Sequence, residues 1–503
     1  MRNEPTGNTE IKQNFWKALL IQKFSHPFAL FFLVITSLVI SFLTYKLGFI
    51  GIGAVFVMTM GLPIVFAVTV YPEFGICAFI TGAFFISYIA EFLPSGVPIG
   101  TLMDVTTYLL IFGFFIKQRT EQNWTYFKNP ISYMILVWLA YNMFEFVNPA
   151  AASRLAWIYT VRTVGFIMLM YFVFVYQIRT VKFIKTLLKL WILLDILAGI
   201  SAFQQENIGF FPFERRSLYS DPLRVSLLFI NGHMRKFAIF SDPVTFSYNM
   251  VIGALLCIVL IMGKLPVKRK VLLGFIAAFF LYVMLYSGTR AAYVLVPGAL
   301  SMLAVLNFNK RVLFFTLVAG GMLGILIVMP TSNPLIKRFQ TAFNPSDDAS
   351  YNVRAENQKR IKPYILSHPI GGGLGSVGVW GRKFSPNSML AKFPPDSGYV
   401  RVAVEMGWIG LILFCTLFFV VLKTGINFYF SIKNSELKNY CLAMLLILFA
   451  FNIGNFPQQA IVQYPSNILF YLAISILVVC KRLDNQEQEQ FKKNSSTGAI
   501  LIH

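Results

Sequence analysis

Long apolar runs separated by short polar breaks set the pattern of this chain. Fourteen runs read as spans: 27–45, 48–69, 74–94, 101–117, 130–147, 155–176, 185–203, 241–263, 271–287, 291–307, 312–330, 399–422, 438–455 and 462–480. About 20 helical residues cross the hydrocarbon core of a bilayer, so runs of this length predict membrane-spanning helices. Lipid offers no water to open backbone groups, and the alternating pattern of a β-barrel is absent. The expected fold is an all-α polytopic integral membrane protein with about 14 transmembrane helices.

The breaks divide the chain further. Residues 1–26 form an N-terminal segment, 27–330 carry the first eleven spans, 331–398 form one large loop, 399–480 carry the last three spans, and 481–503 form a tail. The first segment is polar and mixed in charge. No small-residue cleavage site follows the first apolar run, so no cleavable signal peptide is expected. The large loop contains Gly-rich and apolar stretches and a candidate amphipathic helix at 354–366, which predicts order. The tail is polar and is expected to be loose.

Charge orients the spans. The breaks 117–129, 177–185, 263–270, 309–311 and 423–438 are basic, whereas 91–101 and 455–464 contain no Lys or Arg. With fourteen spans the basic breaks fall on the side of both termini, which the positive-inside bias makes cytoplasmic. Segments 204–240 and 331–398 then lie on the other side, and the large loop joins the eleventh and twelfth spans. Composition agrees with a membrane protein: 57% hydrophobic, 13% charged, mean hydropathy +0.66. The net charge of +22 resides in breaks and loops, so it predicts no nucleic-acid partner. The five cysteines lie in or beside apolar runs without metal-ligand spacing and read as packing residues.

Asp104, Arg162 and Asp195 fall inside predicted spans. An ionisable group there is either functional or part of a buried structural pair. The extracytoplasmic segments hold Arg215, Arg216, Arg224, Arg235, Arg290, Arg354, Arg360 and Arg382, against the usual bias. A solvated loop surface accounts for most of them. Three differ: Arg235 precedes "KFAIFSDPVTFSYN", Arg290 sits in the tight turn "YSGTRAAYV", and Arg354 starts the candidate loop helix. A guanidinium offers a planar fork of donors suited to phosphate, and the Ser287-Gly288-Thr289 turn adds backbone N–H groups. Together they predict a pyrophosphate site at the outer membrane boundary.

The stretch "PPDSGYVRVAVEMGWIG" (394–410) marks the seam between loop and membrane. Pro394 and Pro395 disfavour helix before Asp396, which places that carboxylate at the interface. Arg401 and Glu405 stand at i and i+4 and are expected to pair. In "ILSHPIGGGLGSVG" (365–378) the glycines predict a backbone turn with positive φ and close approach, and His368 a structural role beside it.

Four stretches, in order, resemble the O-antigen ligase and polymerase superfamily of bacterial polysaccharide-assembling membrane proteins: "RKFAIFSDPVTFSYNM" (235–250), "YSGTRAAYVLVPGAL" (286–300), "ILSHPIGGGLGSVG" (365–378) and "PPDSGYVRVAVEMGWIGLILF" (394–414). The resemblance covers about residues 235–420. It implies a metal-independent inverting glycosyltransferase without cofactor, acting at the outer face of the inner membrane. The implied donor is an oligosaccharide on undecaprenyl pyrophosphate, and the acceptor a hydroxyl of another glycan. A chain-length regulator is a further partner such proteins can have. Where the ligases carry a His-Asn pair this chain has Asp396-Ser397, which favours a polymerase over a ligase or a protein O-oligosaccharyltransferase. The implied catalytic residues are Asp396, Arg290 and Arg235. Arg354, Arg215, Arg360, His368 and Tyr399 are candidates for substrate binding, and no metal ligands are expected. A flippase or transporter is the alternative of another class, though no internal repeat supports related halves. A non-catalytic interaction protein is a third, which the clustered arginines disfavour.

Overall fold

In a computed structural model of the chain, residues 67–93, 99–230, 232–332 and 349–500 are described, with scattered positions in 34–45 and 337–343. The chain separates into two units, Met1–Val70 and Tyr71–His503. In the first, the described positions are helical. The predicted spans 27–45 and 48–69 lie largely outside the described residues. The remainder concerns the second unit.

Its helices start where polar side chains replace the missing intrahelical acceptors. In order, α1 is Pro72–Phe92, α2 Gly100–Glu121, α3 Pro130–Phe144, α4 Arg154–Gln177 and α5 Val181–Asn207. Asn129, Ser153 and Thr180 cap α3, α4 and α5 by accepting from backbone N–H groups in the first turn. Two short helices follow, α6 (Pro212–Tyr219) and α7 (Pro222–Leu228), then a two-residue antiparallel hairpin of β1 (Phe229–Ile230) and β2 (His233–Met234). Next come α8 (Pro243–Met262), α9 (Val267–Met284), α10 (Arg290–Leu306) and α11 (Lys310–Val328). The loop region contributes α12 (Ala349–Ser367) and α13 (Gly378–Phe384). The chain closes with α14 (Gly398–Ser431), α15 (Ser435–Gly454) and α16 (Ser466–Ile500).

Among the described residues ten helices are long and apolar enough to cross a membrane, and Arg290–Leu306 is a shorter apolar helix. The all-α polytopic fold is as expected. Helices α8, α15 and α16 are the most buried and form the centre of the unit, with α4, α10 and α14 packed on them. Of the intramembrane charges, Arg162 and Asp104 form an ion pair at 3.2 Å between α4 and α2. Asp195 is completely buried against α8, where a Cβ on Gly253 would come within 2.5 Å of its carboxylate.

Two features depart from the sequence reading. As far as it is described, the tail is not loose but continues α16 to Ile500. It is held because Arg482 donates to the carbonyls of Val175 and Ile178 at 2.7 and 2.5 Å, and Asp484 accepts from the backbone N–H groups of Lys433 and Asn434 at 3.1 and 2.8 Å. The second feature is a break within α14. Gly407 has φ 68° and ψ −174°, which interrupts the helix about two and a half turns inside its start. The carbonyls orphaned by the break find other donors. Val404 O accepts from Gly372 N at 2.9 Å, Glu405 O from Gly373 N at 2.8 Å, and Met406 O from the Tyr141 hydroxyl at 2.9 Å. Ile409 N donates to Pro369 O at 3.2 Å. The predicted glycine turn is thus the element that completes the kink. Gly371 has φ +71°, and a Cβ there would lie 2.4 Å from Gly407 N.

Candidate functional site

A cavity of about 820 Å³ opens where the starts of α8, α10 and α14 meet the end of α15. Its lining includes Arg235, Arg290, Arg354, Asp396 and Tyr399. Five residues chosen from four separate stretches of sequence therefore share one cavity.

Each is fixed by its element. Arg235 leaves the hairpin with its Nε donating to Ser287 O at 2.7 Å and Nη2 to Thr289 Oγ1 at 2.9 Å. Thr289 Oγ1 in turn donates to Pro243 O at 3.2 Å, which ties the turn to the start of α8. Gly288, at φ +57°, makes the turn possible, Thr289 sits at the N-cap position, and Arg290 is the first residue of α10. Arg290 thus stands at the positive end of a helix, where anions are favoured.

Arg354 approaches from α12, its Nε 3.7 Å from Asp396 Oδ2. Asp396 follows the Pro-Pro break and precedes the N-cap Ser397, whose Oγ accepts from Val400 N at 3.4 Å. The Asp396 side chain is about half exposed, at 45%. Burial raises its pKa above the ordinary carboxylate value, and the nearby Arg354 charge offsets part of that rise. Tyr399 donates to Asn452 Oδ1 at 3.2 Å. Behind it, Arg401 pairs with the buried Glu405 at 3.2 Å, as expected from their spacing, and donates to Gln459 Oε1 at 2.8 Å. Gln459 donates to Pro395 O, so the segment before Asp396 is anchored to the turn after α15.

Arg215, Arg360 and His368 do not line this cavity. Arg215 is exposed on α6 and Arg360 on α12. His368 stacks on Tyr364 with ring centroids 3.9 Å apart, and its Nδ1 is within 3.0 Å of Tyr364 O. That is the structural arrangement expected of a residue closing α12 before the glycine turn.

Other lining residues carried no clear signal in the sequence. Asp242 is a second carboxylate in the cavity. Its oxygens accept from Val244 N, Thr245 N, Thr245 Oγ1 and Ser241 Oγ at 2.8–2.9 Å, so it acts as the cap of α8. The Ser-Asp-Pro sequence at a span start was the available cue. Arg224 lines the rim, but its charge is committed to Glu91 at 3.0 Å and its guanidinium stacks on Phe237. Apolar side chains, among them Leu227, Ile230, Val294, Ile453 and Phe456, complete the wall. The cavity therefore offers guanidinium groups, the half-buried Asp396 carboxylate beside the cap-bound Asp242, and an apolar side.

Residues 273–415 match a family model described as O-antigen ligase. The chain is 26% identical over 274 residues to a protein named O-antigen polymerase from Salmonella muenchen, a match covering 51% of this chain and 63% of that protein. Both findings bear out the resemblance to the O-antigen ligase and polymerase superfamily. The family match contains Arg290, Arg354 and Asp396; Arg235 lies before it.

Proposed function

We propose that this chain is a lipid-linked oligosaccharide polymerase of the inner membrane, working at its periplasmic face. The observation that carries this reading is the convergence of Arg235, Arg290, Arg354 and Asp396 on one amphipathic cavity at the ends of the spans. A glycan on undecaprenyl pyrophosphate has matching parts: an anionic diphosphate, a polar sugar and an apolar tail. The arginines neutralise the diphosphate, which makes it a better leaving group. The apolar wall accepts the first part of the polyprenyl chain.

Asp396 is the general base. It takes the proton of the acceptor hydroxyl as that oxygen bonds to the anomeric carbon of the donor. The bond from that carbon to the diphosphate oxygen breaks, and undecaprenyl pyrophosphate leaves with its new charge facing Arg235 and Arg290. One displacement inverts the anomeric centre. No metal ion is required, because the guanidinium groups supply the positive charge. The acceptor is another lipid-linked repeat unit, and a separate chain-length regulator is the expected protein partner.

The family match described as O-antigen ligase supports a second reading, transfer to the lipid A core. Deleting the gene in its host and resolving the surface glycans on a gel separates the two. A polymerase leaves a single repeat on the core. A ligase leaves full-length chains on the lipid carrier. Unchanged glycans overturn both. Returning the gene with Arg290→Ala is expected to restore the protein to the membrane but not the glycan.

A further inference from the structure

A second cavity, of about 480 Å³, lies at the other end of the same bundle. It is formed by the end of α8, the turn into α9, and the starts of α5 and α15. Helix α8 has 20 residues and runs between the two cavities. At 1.5 Å per residue that separates them by about 30 Å, the thickness of the hydrocarbon core. The walls carry three cations, Lys185, Lys264 and Arg269, against one carboxylate, Glu436. Glu436 is already paired with Lys185 at 2.8 Å and accepts from Tyr440 at 2.5 Å. Lys264 and Arg269 are exposed and face the cavity from the α8–α9 turn and the first turn of α9. At the start of α15 the Asn434 side chain accepts from Glu436 N and Leu437 N. The unneutralised charge of the site is therefore that of Lys264 and Arg269.

We infer that this cavity binds the phosphodiester headgroup of an anionic phospholipid in the leaflet opposite the arginine cavity. A basic pocket between spans at this depth is where lipid headgroups lie. The exposed flank of α9 presents Val271, Leu272 and Phe275, which are 52%, 59% and 72% exposed, with Leu272 one turn along from Arg269. Acyl chains attached to a headgroup in the cavity would lie along that flank. A soluble phosphate ester would have no use for it, which is why a lipid is favoured.

The test uses the purified full-length protein in a neutral detergent, with thermal unfolding and native mass spectrometry as readouts. Phosphatidylglycerol is expected to raise the melting temperature and to remain bound, and phosphatidylcholine to do neither. The double variant Lys264→Gln, Arg269→Gln is expected to bind phosphatidylglycerol about 30-fold more weakly, each lost cation costing roughly fivefold. Its melting temperature without lipid should equal that of the parent protein. If the variant melts lower without lipid, the comparison is made with Lys264→Gln alone, and an unchanged affinity there overturns the proposal. Lys128→Gln removes an exposed lysine at the same end but outside the cavity. An equal loss in that variant would show diffuse surface charge and overturn the site. An equal shift with inorganic phosphate would assign it to a soluble anion and overturn the lipid.

Discussion

Burial and the Arg354 guanidinium pull the Asp396 carboxylate in opposite directions, and burial is the stronger. A base must be unprotonated to act, so transfer is expected to fail on the acid side of a limb that lies above the ordinary aspartate value. Replacing Arg354 with Gln removes the opposing charge and should move that limb further up. A pH–rate profile of the purified protein and its variant checks this, and a downward move would contradict it. Arg235 makes two bonds at once, to Ser287 O and Thr289 Oγ1. Lysine has one head and cannot reproduce that fork. Arg235→Lys keeps the charge but loses that hold, and is expected to lower turnover by about 100-fold, the usual cost of one misplaced stabilising donor, with the protein still present at parental level by immunoblot. Arg401 is a different case, since it lies behind the cavity. Arg401→Met strands Glu405, which is 2% exposed, as an unpaired buried charge. The expected loss is about 3–5 kcal/mol, read as a lower melting temperature, and adding Glu405→Met should recover part of it.

At the scale of elements, the broken start of α14 and the glycine turn are one construction. Tyr141→Phe deprives Met406 O of its donor and is expected to cost about 1–3 kcal/mol. Gly371→Ala should be worse, because the backbone is at φ +71° and a Cβ would meet Gly407 N at 2.4 Å. Gly274→Ala, with nothing within 4 Å of its Cβ, is the neutral control. Thermal unfolding of the three variants tests the ranking. Much of this construction was legible beforehand. The glycine run announced positive φ, the Pro-Pro pair announced the start of α14, and the spacing of Arg401 and Glu405 announced their pairing. The partner of the glycine turn was not legible, because "EMGWIG" reads as ordinary helix and a helix break is decided by which outside donors reach its carbonyls. The arginines divide for a similar reason. Arg290 and Arg360 are the same residue type on the same predicted side, but only tertiary packing distinguishes one that starts a buried turn from one on an exposed helix face. Arg235 and Arg290 were separable because each stands at a boundary between elements, whereas Arg354, expected to start its helix, lies like Arg360 inside α12, which begins five residues earlier at Ala349.

For the whole molecule, hydropathy alone foretold an all-helical membrane protein, since each apolar run reports its own length. It foretold α16 only as the span 462–480; the polar extension past that point is tied down at Arg482 by the end of α4 and at Asp484 by the start of α15. Ending the chain before Arg482 removes those contacts and is expected to lower the melting temperature, whereas ending it after Asn494 should leave it unchanged. The arginine cavity adds a consequence of another kind. Its walls come from segments spread from Arg224 to Gln458. A chain leaves the ribosome from its N-terminus, so Arg235 and Arg290 are made well before Asp396, and the turn that anchors Asp396 comes later still. On the proposed reading, a half-finished chain would hold cations for a donor but lack the carboxylate assigned to act on it. The proposed transfer would then become possible only near the end of synthesis, when α14 and α15 join the bundle.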